Sequence, residues 1–226
     1  RHPADPLPAA CLANLLNYTP GVEPATVAAA HVQYGELLAR TVVEMPPAAN
    51  DRSPDRPLRV AFVSADFREH SVAYFIEPVL RHLPREALHV LAVSRVLKPD
   101  AMTARLRPLA DTWVDASAMS DRQLAEAVRA QRVDVCVELS GLTQGNALAA
   151  MAMRPAPVQL SYLGYPNTCG LAAVTGRLAD SRTDPPGEAP VRAGEATYRL
   201  DPVFLCYRSA AQVRGEAWPE EAPPRT

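Results

Sequence analysis

Apolar positions along the chain gather into short unbroken runs, separated by stretches in which they recur at helical spacing. The run Leu58 to Ser64, with Val60, Ala61, Phe62 and Val63 consecutive, has the pattern of a strand covered on both faces. Further runs predict strands over Leu88 to Ser94, near Thr112 to Val114, over Val133 to Leu139 and over Val158 to Leu163. Between them, helices are predicted over Val72 to Leu83, Ala101 to Ala110, Asp121 to Gln131 and Gly145 to Met153, with Ser71 and Ser120 placed to cap the first and third. Arg177 to Asp180 reads as a last short strand, and Thr197 to Tyr207 as an extended segment along one edge. Strands alternating with helices at this spacing imply βαβ units, a mainly parallel sheet and right-handed crossovers, hence an α/β, Rossmann-like domain.

Ahead of that alternation, Ala10 to Tyr18 and Pro24 to Arg40 read as two helical pieces, the second with a stripe at Ala28, His31, Val32, Gly35 and Leu38. Pro46, Pro47, Pro54 and Pro57 then forbid a helix. The expected organisation is a helical lead-in over 1–44, a proline-rich linker over 45–57, the Rossmann-like domain over 58–210 and a disordered tail over 211–226. With Arg1 in place of an initiator methionine, both ends are expected to be truncations.

Composition narrows the function classes. A chain 48% hydrophobic and 21% charged is ordinary globular protein, and a net charge of -2 gives no basic face for nucleic acid. No apolar run reaches the roughly 18 residues that a membrane span needs, and no secretory pattern opens the chain, so cytoplasm is the expected compartment. Cys11, Cys136, Cys169 and Cys206 are scattered without a C-x-x-C pair, which argues against a zinc site or a disulfide framework. Cys136 reads as a small core residue. Lys98 is the only lysine, so the arginine richness reflects base composition rather than a basic patch.

Candidate chemistry sits where predicted strands end. The loop Asp66 to Ser71 holds His70 at a helix start, where it can serve as a general base or, protonated, face a phosphate; an exposed histidine that merely begins a helix fits the same position. In Glu138 to Asn146, Gly141 and Gly145 permit close backbone approach, while Ser140, Thr143 and Asn146 offer hydrogen bonds; a plain turn with a helix cap fits equally. Leu163 to Gly170, with Gly164, Tyr165, Pro166 and Thr168, is a third such loop, and three on one edge define a cleft. His31, His82 and His89 sit among apolar neighbours and are assigned structural or surface roles. Glycine fingerprints for dinucleotides and phosphate loops are absent, as are G-x-S-x-G and an Asp-x-Asp pair, so no metal site and no cofactor are expected.

Taken in order, Leu58 to His70, Glu138-Leu139-Ser140-Gly141-Leu142-Thr143, Met153-Arg154-Pro155-Ala156-Pro157-Val158-Gln159 and Leu163-Gly164-Tyr165-Pro166-Asn167-Thr168 resemble the protein O-GlcNAc transferase and SPINDLY family. Asn14 to Tyr18 is similar to the helical segment that joins that family's tetratricopeptide repeats to its catalytic region. The resemblance implies one half of a GT-B glycosyltransferase of bacterial type. Such an enzyme moves GlcNAc from UDP-GlcNAc, or fucose from GDP-fucose, to Ser or Thr of a protein or peptide acceptor, with inversion and without metal. His70 would match the family's active-site histidine, with Asp66, Ser71, Gly141, Thr143, Gly164, Tyr165, Pro166 and Thr168 lining the substrate cleft. The family's second half, which carries most nucleotide contacts, has no counterpart here, so the nucleotide sugar is expected to be shared with it and this chain alone to be inactive. A degenerate, non-catalytic protein-binding module is the rival expectation. The chain departs from the family pattern at Leu142, Asn167 and Thr175-Gly176, the last predicting a looser following strand.

Overall fold

A computed structural model describes residues 5–187 and 195–207. The tail expected over 211–226 lies outside the described residues. Among the described residues, seven strands form one parallel sheet: β1 (Leu58–Ser64), β2 (Leu88–Ser94), β3 (Thr112–Asp115), β4 (Val135–Glu138), β5 (Val158–Ser161), β6 (Gly176–Ala179) and β7 (Ala196–Arg199). Their spatial order is β3-β2-β1-β4-β5-β6-β7, and every neighbouring pair is parallel. The chain builds outward from β1 through β2 to β3, then returns to β1's other side with β4. Such a reversal opens a crevice beyond the carboxyl ends of the two central strands, where open α/β sheets bind ligands.

Six α-helices among the described residues accompany the sheet: α1 (Leu7–Leu16), α2 (Pro24–Ala39), α3 (Ser71–His82), α4 (Ala101–Leu106), α5 (Asp121–Ala130) and α6 (Leu148–Ala152). One apolar cluster, with Val60, Phe62, Ile76, Leu80 and Leu106, fills the side of the sheet under α3 and α4. The other joins Ala61, Val63, Leu124 and Met151 to Ala13, Tyr34 and Leu38 of the first two helices, so the lead-in shares the sheet's own core. Cys136 lies fully buried there, as its sequence setting implied.

Several elements depart from the sequence expectation for identifiable reasons. His70, not Ser71, caps α3: its Nδ1 accepts the Val72 N–H at 3.3 Å, and Ser71 is exposed as the first helical residue. Ser120 does cap α5, through a capping box with Gln123. The helix expected to run to Ala110 stops at Leu106 and tightens into a 3-10 turn over Arg107–Leu109, where Pro108 has no N–H to continue the ladder. The helix expected from Gly145 starts only at Leu148, because the Ala147 N–H is drawn to Glu138. Gly176 does not loosen its strand. It opens β6 between β5 and β7, and the space a side chain would need is filled by the Tyr198 ring.

The proline-rich stretch has no helix or strand and is tied to the rest of the fold by hydrogen bonds. Asn50 and Arg56 both reach Asp134, and the Arg56 guanidinium holds that carboxylate through two contacts of 2.7 Å. Burial alone would raise the Asp134 carboxyl, but the hydrogen bonds from Arg56, the Arg59 N–H and Asn50 outweigh it and bring the pKa down to about 2.

Candidate active-site crevice

Three loops meet beyond the carboxyl ends of β1, β4 and β5, and glycines allow three close contacts between them. A side chain at Gly145 would come within 2.7 Å of the Ala65 Cβ, joining the loops after β4 and β1. Gly164 lies against the Leu139 carbonyl, and a Cβ there would stand 3.2 Å from Val72 Cγ2, which brings the loop after β5 onto the start of α3. Gly141, at φ +56°, lies directly under the Tyr165 side chain, where any Cβ would overlap that ring. Leu163 also takes a left-handed conformation, φ 76°, which residues other than glycine rarely adopt. Such backbone strain tends to collect at functional sites, and this turn lifts the chain over Leu139.

His70 stands at the rim, with its side chain 37% exposed. Asp66 lies beneath it almost fully buried, with its carboxylate 3.2 Å from Arg68 and 3.8 Å from His70 Nδ1. Because Nδ1 accepts the Val72 N–H, the neutral ring carries its proton on Nε2. Posed this way, the imidazole offers a donor at the crevice rather than a free basic nitrogen. Turning Nδ1 toward Asp66 would reverse that arrangement.

Of the residues proposed from sequence to contact substrate, Ser71 is exposed and Thr143 and Gly164 are half-buried along this rim, whereas Pro166, also exposed, lines a groove with Leu16, Asn17 and Val27 of the lead-in. Thr143 Oγ1 donates to the Ser140 carbonyl and so secures its own loop. Asp66 and Gly141 are buried at the base. Tyr165 and Thr168 face inward. The Tyr165 hydroxyl lies 2.7 Å from His31 Nε2 and 2.7 Å from Asn17 Nδ2, and Thr168, fully buried, accepts the Gly170 N–H. His31 Nδ1 faces the Val27 carbonyl and must therefore bear the ring proton, leaving Nε2 to accept from Tyr165 while Asn17 donates to the same hydroxyl. Burial lowers the His31 pKa, consistent with a neutral ring. This links the lead-in to the crevice loop, and Asn167 adds a second tie to Asn17 at 2.9 Å. His31 is thus structural, as expected; Asn17 and Asn167 were not anticipated as its companions.

Sequence reasoning also passed over Glu138. Its carboxylate, 1% exposed at the end of β4, accepts N–H groups from Ser140 (2.9 Å), Gly141 (2.6 Å) and Ala147 (3.2 Å). An acidic residue closing an apolar strand run was the available signal. Burial raises its pKa, against the pull of these N–H groups, to about 7. Among the described residues, no group of three or more His, Cys, Asp and Glu side chains is placed to hold a metal ion, and no helix is long and apolar enough to cross a membrane.

A parallel sheet with a loop-lined crevice at its reversal point is the architecture of nucleotide- and nucleotide-sugar-binding α/β proteins. The chain belongs to glycosyl transferase family 41, whose pattern it matches over residues 26–204. It is 39% identical over 188 residues to a protein named probable UDP-N-acetylglucosamine–peptide N-acetylglucosaminyltransferase SPINDLY of Arabidopsis thaliana, covering 81% of this chain and 20% of that protein. The SPINDLY protein of Oryza sativa subsp. japonica is 37% identical over the same length with the same coverage. A solved mutant of the Thermobaculum terrenum O-GlcNAc transferase superposes with a TM-score of 0.84 at 33% identity, over 90% of this chain and 39% of that one. The chain therefore spans about a fifth of the length of the curated relatives it matches.

Proposed function

We propose that the chain forms one wall of the active site of a protein O-glycosyltransferase, which transfers GlcNAc from UDP-GlcNAc to Ser or Thr hydroxyls with inversion and without metal. The observation that carries this reading is the convergence of three glycine-joined loops on the β1/β4 reversal point, with His70 at their rim, in a family 41 chain. The donor is shared with a second Rossmann-like half of the GT-B enzyme, and the acceptor peptide enters over the exposed rim.

On this reading the crevice loops hold the donor's sugar and diphosphate in line with the acceptor hydroxyl, which lowers the entropic barrier to attack. With Nδ1 engaged by Val72, His70 presents its Nε2–H to a donor oxygen and stabilises charge that develops as the diphosphate leaves. The first N–H groups of α3 add favourable potential for the same anion.

The test is to incubate the intact protein that contains this chain with a Ser/Thr-rich peptide and either UDP-GlcNAc or GDP-fucose, and to weigh the peptide by mass spectrometry. Addition of one N-acetylhexosamine from UDP-GlcNAc is the expected result. Addition of fucose alone would replace the donor assignment, and an unmodified peptide with both donors would favour a non-catalytic binding module.

A further inference from the structure

The loop between β4 and α6 is assembled around a single buried carboxylate. Glu138 takes N–H groups from both ends of the loop, Ser140 and Gly141 at the start and Ala147 at the finish, so it closes the segment into a ring. The ring carries Gly141 under Tyr165 and Gly145 against Ala65, two of the contacts that fuse this loop to the other crevice loops. Other ionisable groups lie close enough to the carboxylate to interact with its charge. They are Arg95 from the segment after β2, Tyr34 from α2, Cys136 from the same strand and Cys169 from the loop after β5. The Arg95 guanidinium spends its hydrogen bonds on the Asn146 carbonyl and Asp121, each at 2.7 Å, and so braces the loop's far end instead of pairing with Glu138.

We propose that Glu138 is a positioning residue for glycosyl transfer, holding the 139–147 loop in its crevice-forming shape by acting as a carboxylate rather than as a neutral hydrogen-bonding group. The proposal rests on the reading of the crevice as a transferase site. Three N–H donors converge on two oxygens that have no proton to offer, which suits the ionised form. With its pKa near 7, the carboxyl takes up a proton close to neutrality. One oxygen then becomes a donor that faces N–H donors, and the loop must re-form around it. A glutamine at this position would mimic that protonated state at every pH.

Two measurements decide it. In 15N-labelled chain, the amides of Ser140, Gly141 and Ala147 should move together through one titration step near neutral pH, and E138Q should abolish the step while the rest of the spectrum stays folded. A step that survives in E138Q, or a Glu138 carboxyl whose 13C shift stays that of the protonated acid from about pH 5 to about pH 9, would overturn the proposal. In the intact protein, kcat/KM for E138Q at alkaline pH should fall about tenfold, to the level wild type reaches at acid pH, and should lose that limb of the pH profile. An E138Q variant with wild-type kcat/KM and profile would equally overturn it. If the intact wild type transfers no sugar, the transferase reading fails while the amide titration still decides whether Glu138 organises the loop.

Discussion

Replacing Tyr165 with Phe removes one oxygen atom and separates two roles for this residue, a wall of the substrate cleft or an anchor for the helical lead-in. The hydroxyl donates to His31 Nε2 and accepts from Asn17 Nδ2, both at 2.7 Å. Asn17 is half-buried, so water can replace its lost acceptor. His31 is fully buried, and its ring nitrogen would be left without a donor, which costs about 1–3 kcal/mol. The ring itself stays over Gly141, so packing is preserved. We therefore expect Y165F to lose about 2 kcal/mol, a fall of about 1 M in the urea midpoint at an unchanged slope. Hydrogen exchange in α1 and α2 should quicken most, and KM for the donor should stay near its wild-type value. A loss of stability under about 0.5 kcal/mol would refute the anchor, since changes of that size are usual for surface positions. A rise in donor KM at unchanged stability would return Tyr165 to the substrate cleft.

Two further predictions concern stability. Gly35→Ala would drive a Cβ into the Gly170 carbonyl oxygen and push α2 off the crevice loop; we expect about 3 kcal/mol of destabilisation by urea unfolding, and a near-neutral result would show that the lead-in is loosely held. Asp134, brought from its ordinary 3.8 to about 2, contributes stability that is complete above the unfolded value and is lost as pH falls through the folded one. The contribution is about 2 kcal/mol, so wild type should lose that much between about pH 5 and about pH 2 relative to D134N; parallel acid-unfolding curves would contradict it.

The sheet was legible because buried parallel strands are continuous apolar runs. Leu58–Ser64 and Leu88–Ser94 were read to the residue, since both are covered on two faces and bounded by polar loops. Helix ends were legible where a cap is local, as at Ser120, and misread where the deciding group was a proline inside the run, as at Pro108, or a carboxylate nine residues away, as with Glu138 and Ala147. At the crevice, local pattern placed the three loops correctly at strand ends. It could not show which side chains turn inward. Tyr165 and Thr168 look like cleft residues in a Gly- and Pro-rich loop, yet Tyr165 answers to His31, 134 positions earlier, a pairing that only the packed fold creates.

The most direct test of the central claim, that sugar transfer occurs at the crevice bearing His70, is the turnover of His70→Asn in the intact protein. Asparagine is a good helix cap, so α3 should keep its start while the imidazole is lost. We expect a melting temperature close to wild type and a fall in kcat for peptide glycosylation of about a hundredfold, in the range that a catalytic imidazole contributes. Transfer at near wild-type rates would place the chemistry elsewhere.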